Sequence, residues 1–322
     1  MFSRLIESNG FVLSFPPPTT HGSAALDLAH YFDTSAHWDT HWYSDEHSLP
    51  PPLKGVTQMT YTSSWHSLGD TKTLYSGVMF ADLSICWFTV QFSMTSNADP
   101  NDSSRVQRSV QYLPRPHSMD KAALTQAHET YGETIAAFAE SFSGTGEFCG
   151  RGECWDLAHE ALKYFEAFDY VPKPIPSLSR THGHLIFEGR ATGKGNMVGR
   201  WRGGDDRVRR GDIVEWRKVK INTVGASPYS WATLGDPDHT AIIVRDSEPS
   251  RPPADGESLS PAELGSLEVV EQSVTSPPQR KEYDLNAFEQ GEMWIYRPVS
   301  MQAYLGTLLE ARCPDGVPAL TL

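Results

Sequence analysis

Apolar positions change period several times along the chain, and each change marks an element. Leu124, Ala127, Tyr131, Ile135, Phe138 and Phe142 recur at steps of three or four, which predicts one apolar face of a helix about 25 residues long. Ser118 stands where its N-cap is expected, and Gly144 and Gly146 end it. Leu157, Ala158, Ala161, Leu162 and Phe165 predict a second helix starting near Glu153 and broken by Pro172, Pro174 and Pro176. A short helix is expected at 24–32. Elsewhere the pattern is strand-like. Segments 56–63, 73–80, 84–92 and 106–113 are rich in β-branched and aromatic residues, with turns at Gly69-Asp70 and Ala81-Asp82. Segments 182–190, 212–216, 239–244, 267–274 and 293–296 read as further strands, mostly antiparallel, with a Gly235-Asp236-Pro237-Asp238 turn leading into one of them. Segments 96–105, 193–211 and 246–266 are expected to be surface loops or solvated inserts. The proline triplets 16–18 and 50–52 favour extended polyproline backbone and suit packing or spacer loops, with an SH3-type partner as the rival use.

The pattern divides unevenly, into a β-rich N-terminal portion over 1–116 packed on a core, an α+β unit over 117–305, and a C-terminal tail over 306–322. A length of 322 residues agrees with about two domains. The formal net charge of −13 argues against nucleic acid as a partner and against docking on anionic lipid. No stretch reaches the roughly 18 apolar residues of a membrane span; the most apolar window, 77–92, is interrupted by Asp82, Ser84 and Gln91. Residues 1–8 lack the basic start and apolar run of a signal peptide. Four irregularly spaced cysteines do not make a disulfide framework. These features together read as a soluble cytoplasmic protein with reduced thiols, which leaves a thiol available for chemistry.

The sharpest candidate is Cys154, in Arg151-Gly152-Glu153-Cys154-Trp155-Asp156. Gly150 and Gly152 precede it, and it opens a strongly patterned helix. Unpaired N–H groups and the dipole at a helix start stabilise a thiolate. The competing reading is a small core residue, since Cys154 shares the apolar face of its helix. A nucleophilic thiol needs a base, and His239 opens a strand after the Gly-Asp-Pro-Asp turn. If strand 239–244 pairs antiparallel with 267–274, period two puts His239 beside Glu271 and Ser273, with Gln272 facing the other way. Arg151 would either support a thiolate or only neutralise Glu153. His182 with His184, and His37 with His41, could contribute to a zinc site, but hydrogen-bonded histidines explain them without a metal. Lys194-Gly195-Asn196 lacks the residues of a P-loop. The arginines of 200–210 read as a solvated loop, or as a contact for an acidic partner with Trp201 as anchor.

The stretches 151–158, 180–189, 199–216, 235–244, 264–273 and 283–298 resemble the papain-like cysteine proteinase fold, in its CHAP and NlpC-type branches. More specifically, residues from about 120 to 305 resemble the cysteine-proteinase-fold domain at the C-terminus of fungal actin-patch proteins, among them the myosin tail region-interacting proteins. That resemblance implies Cys154 as nucleophile, His239 as general base and Glu271 as the group orienting the imidazole. It implies no cofactor, and a peptide, isopeptide or other amide as substrate. CHAP-type sites often carry Asn two positions after the Glu, where this chain has Ser273. The alternative implied is a catalytically silent scaffold at the cortical actin patch, with an actin-patch or myosin-associated protein as partner.

Overall fold

The computed structural model describes residues 13–95, 98–227, 230–317 and 320. The reading of residues 1–8, the first two residues of the 96–105 loop and part of the expected 306–322 tail lie outside them. The chain divides into two units. One comprises Phe15–His117 with Leu305–Leu322, the other Met1–Ser14 with Ser118–Tyr304.

In the first unit, helix α1 (Ala24–Phe32) packs on a four-stranded antiparallel meander, β1 (Met59–Leu68), β2 (Thr71–Phe80), β3 (Ile85–Ser93) and β4 (Val106–Leu113). Ser23 caps α1 by accepting from the Leu26 N–H. Leu68 pairs with Thr71, so Gly69-Asp70 is the expected two-residue turn. Phe32 stacks on Phe88 with ring centroids 3.9 Å apart, and Trp38 and Trp42 close around them. The segment after residue 304 returns here: the Glu310 carbonyl accepts from Trp87 Nε1–H at 3.0 Å.

The second unit carries helices α2 (Lys121–Phe142) and α3 (Cys154–Lys163), a seven-stranded antiparallel sheet, and a last short helix, α4 (Met301–Leu305), at its boundary. The strands are β5 (His184–Thr192), β6 (Met197–Trp201), β7 (Ile213–Thr223), β8 (Ala232–Ile243), β9 (Ser266–Ser273), β10 (Ser276–Asp284) and β11 (Gln290–Arg297), in the order β10-β9-β8-β7-β11-β5-β6. β10 also pairs with β7 through Tyr283 and Thr223, so β7 to β10 close on themselves. Apolar side chains of α2 and α3 meet Ile213, Ile242, Val244 and Val270 on one face of the sheet. This is the expected α+β arrangement, with the cysteine-bearing helix packed on an antiparallel sheet.

Local readings need four corrections. The α2 cap is Asp120, whose carboxylate accepts from the Ala123 N–H at 2.8 Å, rather than Ser118. The 193–211 stretch contains β6, and it is no solvated loop. Trp201 is fully buried, and Asp205 accepts from both Arg209 and Arg297. Buried Arg297 is also held by both oxygens of Asp212 at 2.9 Å. The 246–266 insert buries Leu259, Pro261 and Leu264. Finally, β10 escaped the pattern because Pro277-Pro278 reads as a breaker. Those prolines sit at a register shift in the stretch of β10 that β7 does not pair, where a missing N–H breaks no ladder bond.

Candidate active site

The expected Gly-Asp-Pro-Asp turn is instead a bulge within β8. Arg217 pairs with Asp238 and Val219 with Leu234, so Gly235, Asp236 and Pro237 stand opposite Lys218 alone. A bulge turns the strand locally and re-aims side chains. It delivers Asp238 and His239 to the start of α3. Ladder pairing of β8 with β9 runs through Ile242↔Val270 and Ile243↔Val269. Continuing that register sets His239 opposite Ser273 with Glu271 diagonal to it on the same face, and the imidazole Nε2–H donates to Glu271 Oε2 at 2.8 Å. Nδ1 is thereby left free of Glu271, and the ring is electrostatically linked to the Cys154 thiol. Cys154 also lies 3.9 Å, Sγ to oxygen, from the Asp238 carbonyl. It is the partly exposed thiol of the helix start, whereas Cys149 is a core residue.

The electrostatics follow from burial and pairing. Burial pushes the His239 imidazole toward neutrality, but its bonds to Cys154 and Glu271 and the Glu271 charge outweigh that. Its pKa is raised to about 10. Burial alone would raise Glu271; His239 and Lys281 hold it down at about 2. Glu271 Oε1 accepts from Lys281 Nζ at 2.6 Å and from the Tyr283 hydroxyl at 2.8 Å. The carboxylate is therefore pinned from β10, and Tyr283 packs edge-on against Trp216 at 5.9 Å. Near neutral pH the ring is held as an imidazolium against the Glu271 carboxylate.

The loop before Cys154 is pinned from two sides. Asp156 Oδ2 accepts from the N–H groups of Arg151 and Glu153, at 2.7 and 3.2 Å. Gly150 takes φ +59°, and a Cβ there would lie 2.9 Å from the Asp156 Cβ, so the turn needs glycine. From the sheet, Gln272 Oε1 accepts from the Cys149 N–H at 3.0 Å. Its Nε2 donates to the carbonyls of Cys149 and Glu153 at 2.9 and 2.8 Å. Because a peptide group is planar, fixing the Glu153 carbonyl also fixes the direction of the Cys154 N–H.

Cys154, His239 and Glu271 thus converge, and Ser273 does not join them. Its hydroxyl lies 3.2 Å from that of Thr275. Gln272 faces away from Glu271 as expected, yet that other face is where the cysteine loop lies. Period two supplied its direction without its partner, because the loop is 123 residues away in sequence. Arg151 reaches Asp156 and Glu153 at 3.3 and 3.4 Å and serves to neutralise them.

A second polar cluster lies behind the site. Glu215 pairs with Thr240 across β7 and β8 and accepts from its hydroxyl at 2.7 Å. His182 Nε2 is 3.3 Å from Glu215 Oε2, and His182 Nδ1 is 2.9 Å from the Ser177 hydroxyl. Burial drives the carboxyl up and the imidazole down, the latter to about 3, so both stay neutral. Arg180 bridges to Asp238 at 2.8 Å, one residue before His239. His184 stacks edge-on with Tyr304, while His37 and His41 turn to Asp39 and the Ala98 carbonyl. Among the described residues no group of three or more His, Cys, Asp or Glu is placed to hold a metal. None of their helices is long and apolar enough to cross a membrane.

Residues 106–309 match the AIM3/BBC1 Cysteine proteinase-fold domain, and the chain belongs to that family. It is also similar to a protein of Debaryomyces hansenii named Altered inheritance of mitochondria protein 3, at 25% identity over 307 residues. The alignment takes in 88% of this chain and 28% of that protein, so the chain spans less than a third of its relative. No solved structure matches the chain.

Proposed function

We propose that this member of the AIM3/BBC1 cysteine proteinase-fold family is a cysteine hydrolase of amide bonds. The observation that carries the reading is the meeting of Cys154 at the start of α3 with the Asp238-His239 end of the β8 bulge, where the His239 ring is bonded through Nε2 to Glu271. The proton given up by the thiol resides on His239, and the Cys154 thiolate attacks the carbonyl carbon of a peptide, isopeptide or other amide. The oxyanion is held by N–H groups of the first turn of α3, led by that of Cys154. The C–N bond breaks as His239 gives its proton to the leaving amine. Water then attacks the thioester, His239 accepts its proton, and the acid leaves as the thiol reforms. Glu271 keeps the ring oriented and charged, the role Ser273 is turned away from.

The test is alkylation by iodoacetamide near neutral pH. Burial pushes up the other three thiols, Cys149 and Cys313 to about 11, so modification reports on Cys154. Rapid modification of Cys154, slowed in His239→Ala, is the expected result. A rate no faster than that of an ordinary exposed thiol would defeat the proposal.

A second reading is a silent scaffold module serving a protein partner at the cortical actin patch. One observation favours it: the sulfur also faces the Asp238 carbonyl, an acceptor that suits a protonated thiol. The same alkylation experiment separates the two.

A further inference from the structure

The two proline triplets, far apart in sequence, meet at one cavity of the first unit. Pro16, Pro17 and Pro18 line it together with Pro52. All four are exposed, and so is Val56 beside them. Leu28 of α1, Leu53 and Phe80 supply buried apolar lining. The cavity measures about 320 Å³, within the range of small-molecule sites. Exposed apolar residues gathered around a cavity, rather than scattered singly, mark an interaction site. A proline ring fixes φ, so this wall is stiff before any ligand arrives. Proline also has no N–H, so these residues bring no backbone donor to the wall.

Two carboxylates line the cavity, and they differ in what they hold. Asp27 is fully engaged. It accepts from the N–H groups of Thr20 and His21 at 3.0 and 2.7 Å and meets His21 Nδ1 at 2.8 Å. Asp82 is half engaged. Its Oδ1 accepts from the N–H and hydroxyl of Ser84 at 3.0 and 2.6 Å, whereas its Oδ2 has no partner among the described residues. The Gln58 side-chain amide has none among them either. The Gln58 backbone carbonyl accepts from the Ala81 N–H at 3.2 Å, which holds Gln58 close to Asp82. No Lys or Arg is among the described residues that line the cavity. Lys54, in the loop between Leu53 and Val56, is exposed and outside the lining. An apolar wall with an unmatched carboxylate oxygen and a shortage of donors suits a ligand that is apolar, positively charged and rich in N–H.

We propose that this cavity binds an organic cation, an ammonium group carried on a hydrocarbon body. The body fills the space between the prolines and Leu28, Leu53 and Phe80, where its burial supplies most of the affinity. The ammonium donates to Asp82 Oδ2 and to the Gln58 side-chain carbonyl. An anion of the same shape meets the Asp82 charge, and a neutral alcohol forgoes the charge-assisted bond. The cavity belongs to the unit that lacks Cys154, His239 and Glu271, so the inference stands whether or not the thiol is catalytic.

The test is isothermal titration calorimetry of the full chain with phenylbutylammonium, run beside phenylbutanol and phenylbutyrate, which keep the body and change the head. Saturable binding is expected, tightest for the ammonium and about tenfold or more weaker for the carboxylate. Asp82→Asn keeps the Oδ1 acceptor for Ser84 and removes the charge, so it tests the site without disturbing the turn. It should weaken ammonium binding about fivefold or more and leave the alcohol unchanged. Val56→Lys, at an exposed position, sets a competing cation beside the cavity and should also weaken the ammonium. The peptide acetyl-Phe-Lys-amide presents a phenyl body and an ammonium on a backbone. If it binds more tightly than phenylbutylammonium, the cation is a peptide side chain; if it binds as tightly or more weakly, the cation is a free amine. No binding by any of the compounds, equal binding by all three head groups, or an ammonium affinity unchanged in Asp82→Asn overturns the proposal.

Discussion

Replacing Glu271 by Gln keeps the shape of the site and removes its buried charge. His239 is raised to about 10 by its bonds to Cys154 and Glu271 and by the Glu271 charge, against burial. The glutamine can still accept from Nε2–H, but as a neutral partner. A hydrogen bond to a charged group contributes about 1.5–3 kcal/mol, against roughly 1 for a neutral pair. Adding the lost through-space attraction, the change is about 1.5–3 kcal/mol, or one to two pKa units. The His239 midpoint should therefore fall from about 10 to roughly 8–9. The assay is an NMR titration of the imidazole Cε1–H, with His239 assigned by its disappearance in His239→Ala. Near neutral pH the ring stays mostly cationic in both forms, so Cys154 alkylation should differ little there and diverge only above about pH 8. A midpoint within half a unit of wild type would show that the ring takes its charge from elsewhere.

Other outcomes follow from the same contacts. Gln272→Ala leaves the Cys149 N–H unpaired and takes one of two donors from each of the Cys149 and Glu153 carbonyls, and should destabilise the protein by about 1–3 kcal/mol in urea unfolding. It should also slow Cys154 alkylation; an unchanged alkylation rate would free the loop from Gln272. Arg297→Met strands the buried carboxylates of Asp205 and Asp212 and should cost about 3–5 kcal/mol. Arg297→Lys should recover little of that, because a lysine cannot span both oxygens of Asp212; full recovery by Lys would refute the fork. With pH, the His239 contribution to stability is complete below about 6.5 and disappears as pH rises through about 10. The Glu271 contribution is complete above the ordinary carboxylate range and disappears as pH falls through about 2. Urea midpoints of wild type and Glu271→Gln should differ most between these limits and converge outside them.

The helices were readable because their apolar stripes repeat without interruption, and α3 even shows its first residue through the glycines before Cys154. Period two on β8 and β9 put His239 on the face of both Glu271 and Ser273, and only Glu271 bonds the ring. What escaped were features whose partners lie far along the chain. Gln272 looks like any outward residue until the loop of Cys149 is laid on that face. The arginines of 200–210 look solvated until Asp205, Glu188 and Glu140 are brought to them. The Gly235-Asp236-Pro237 run carries the residues of a turn, and only pairing with β7 on one side shows it as a bulge. The proline pair of β10 likewise hides a strand that supplies Lys281 and Tyr283 to the carboxylate.

The two-part chain path of the first unit has a consequence for biosynthesis. Its strands leave the ribosome first, but the Glu310 carbonyl that receives Trp87 comes last. The residues of the cysteine-bearing unit are all made by position 304, before the earlier-emerging unit can close. Nascent β1 to β4 must therefore wait, incomplete, through nearly two hundred further residues. The boundary of the family match, at residue 106, compounds the point. A fragment cut there carries β4 without β3, and exposes a strand edge with no partner.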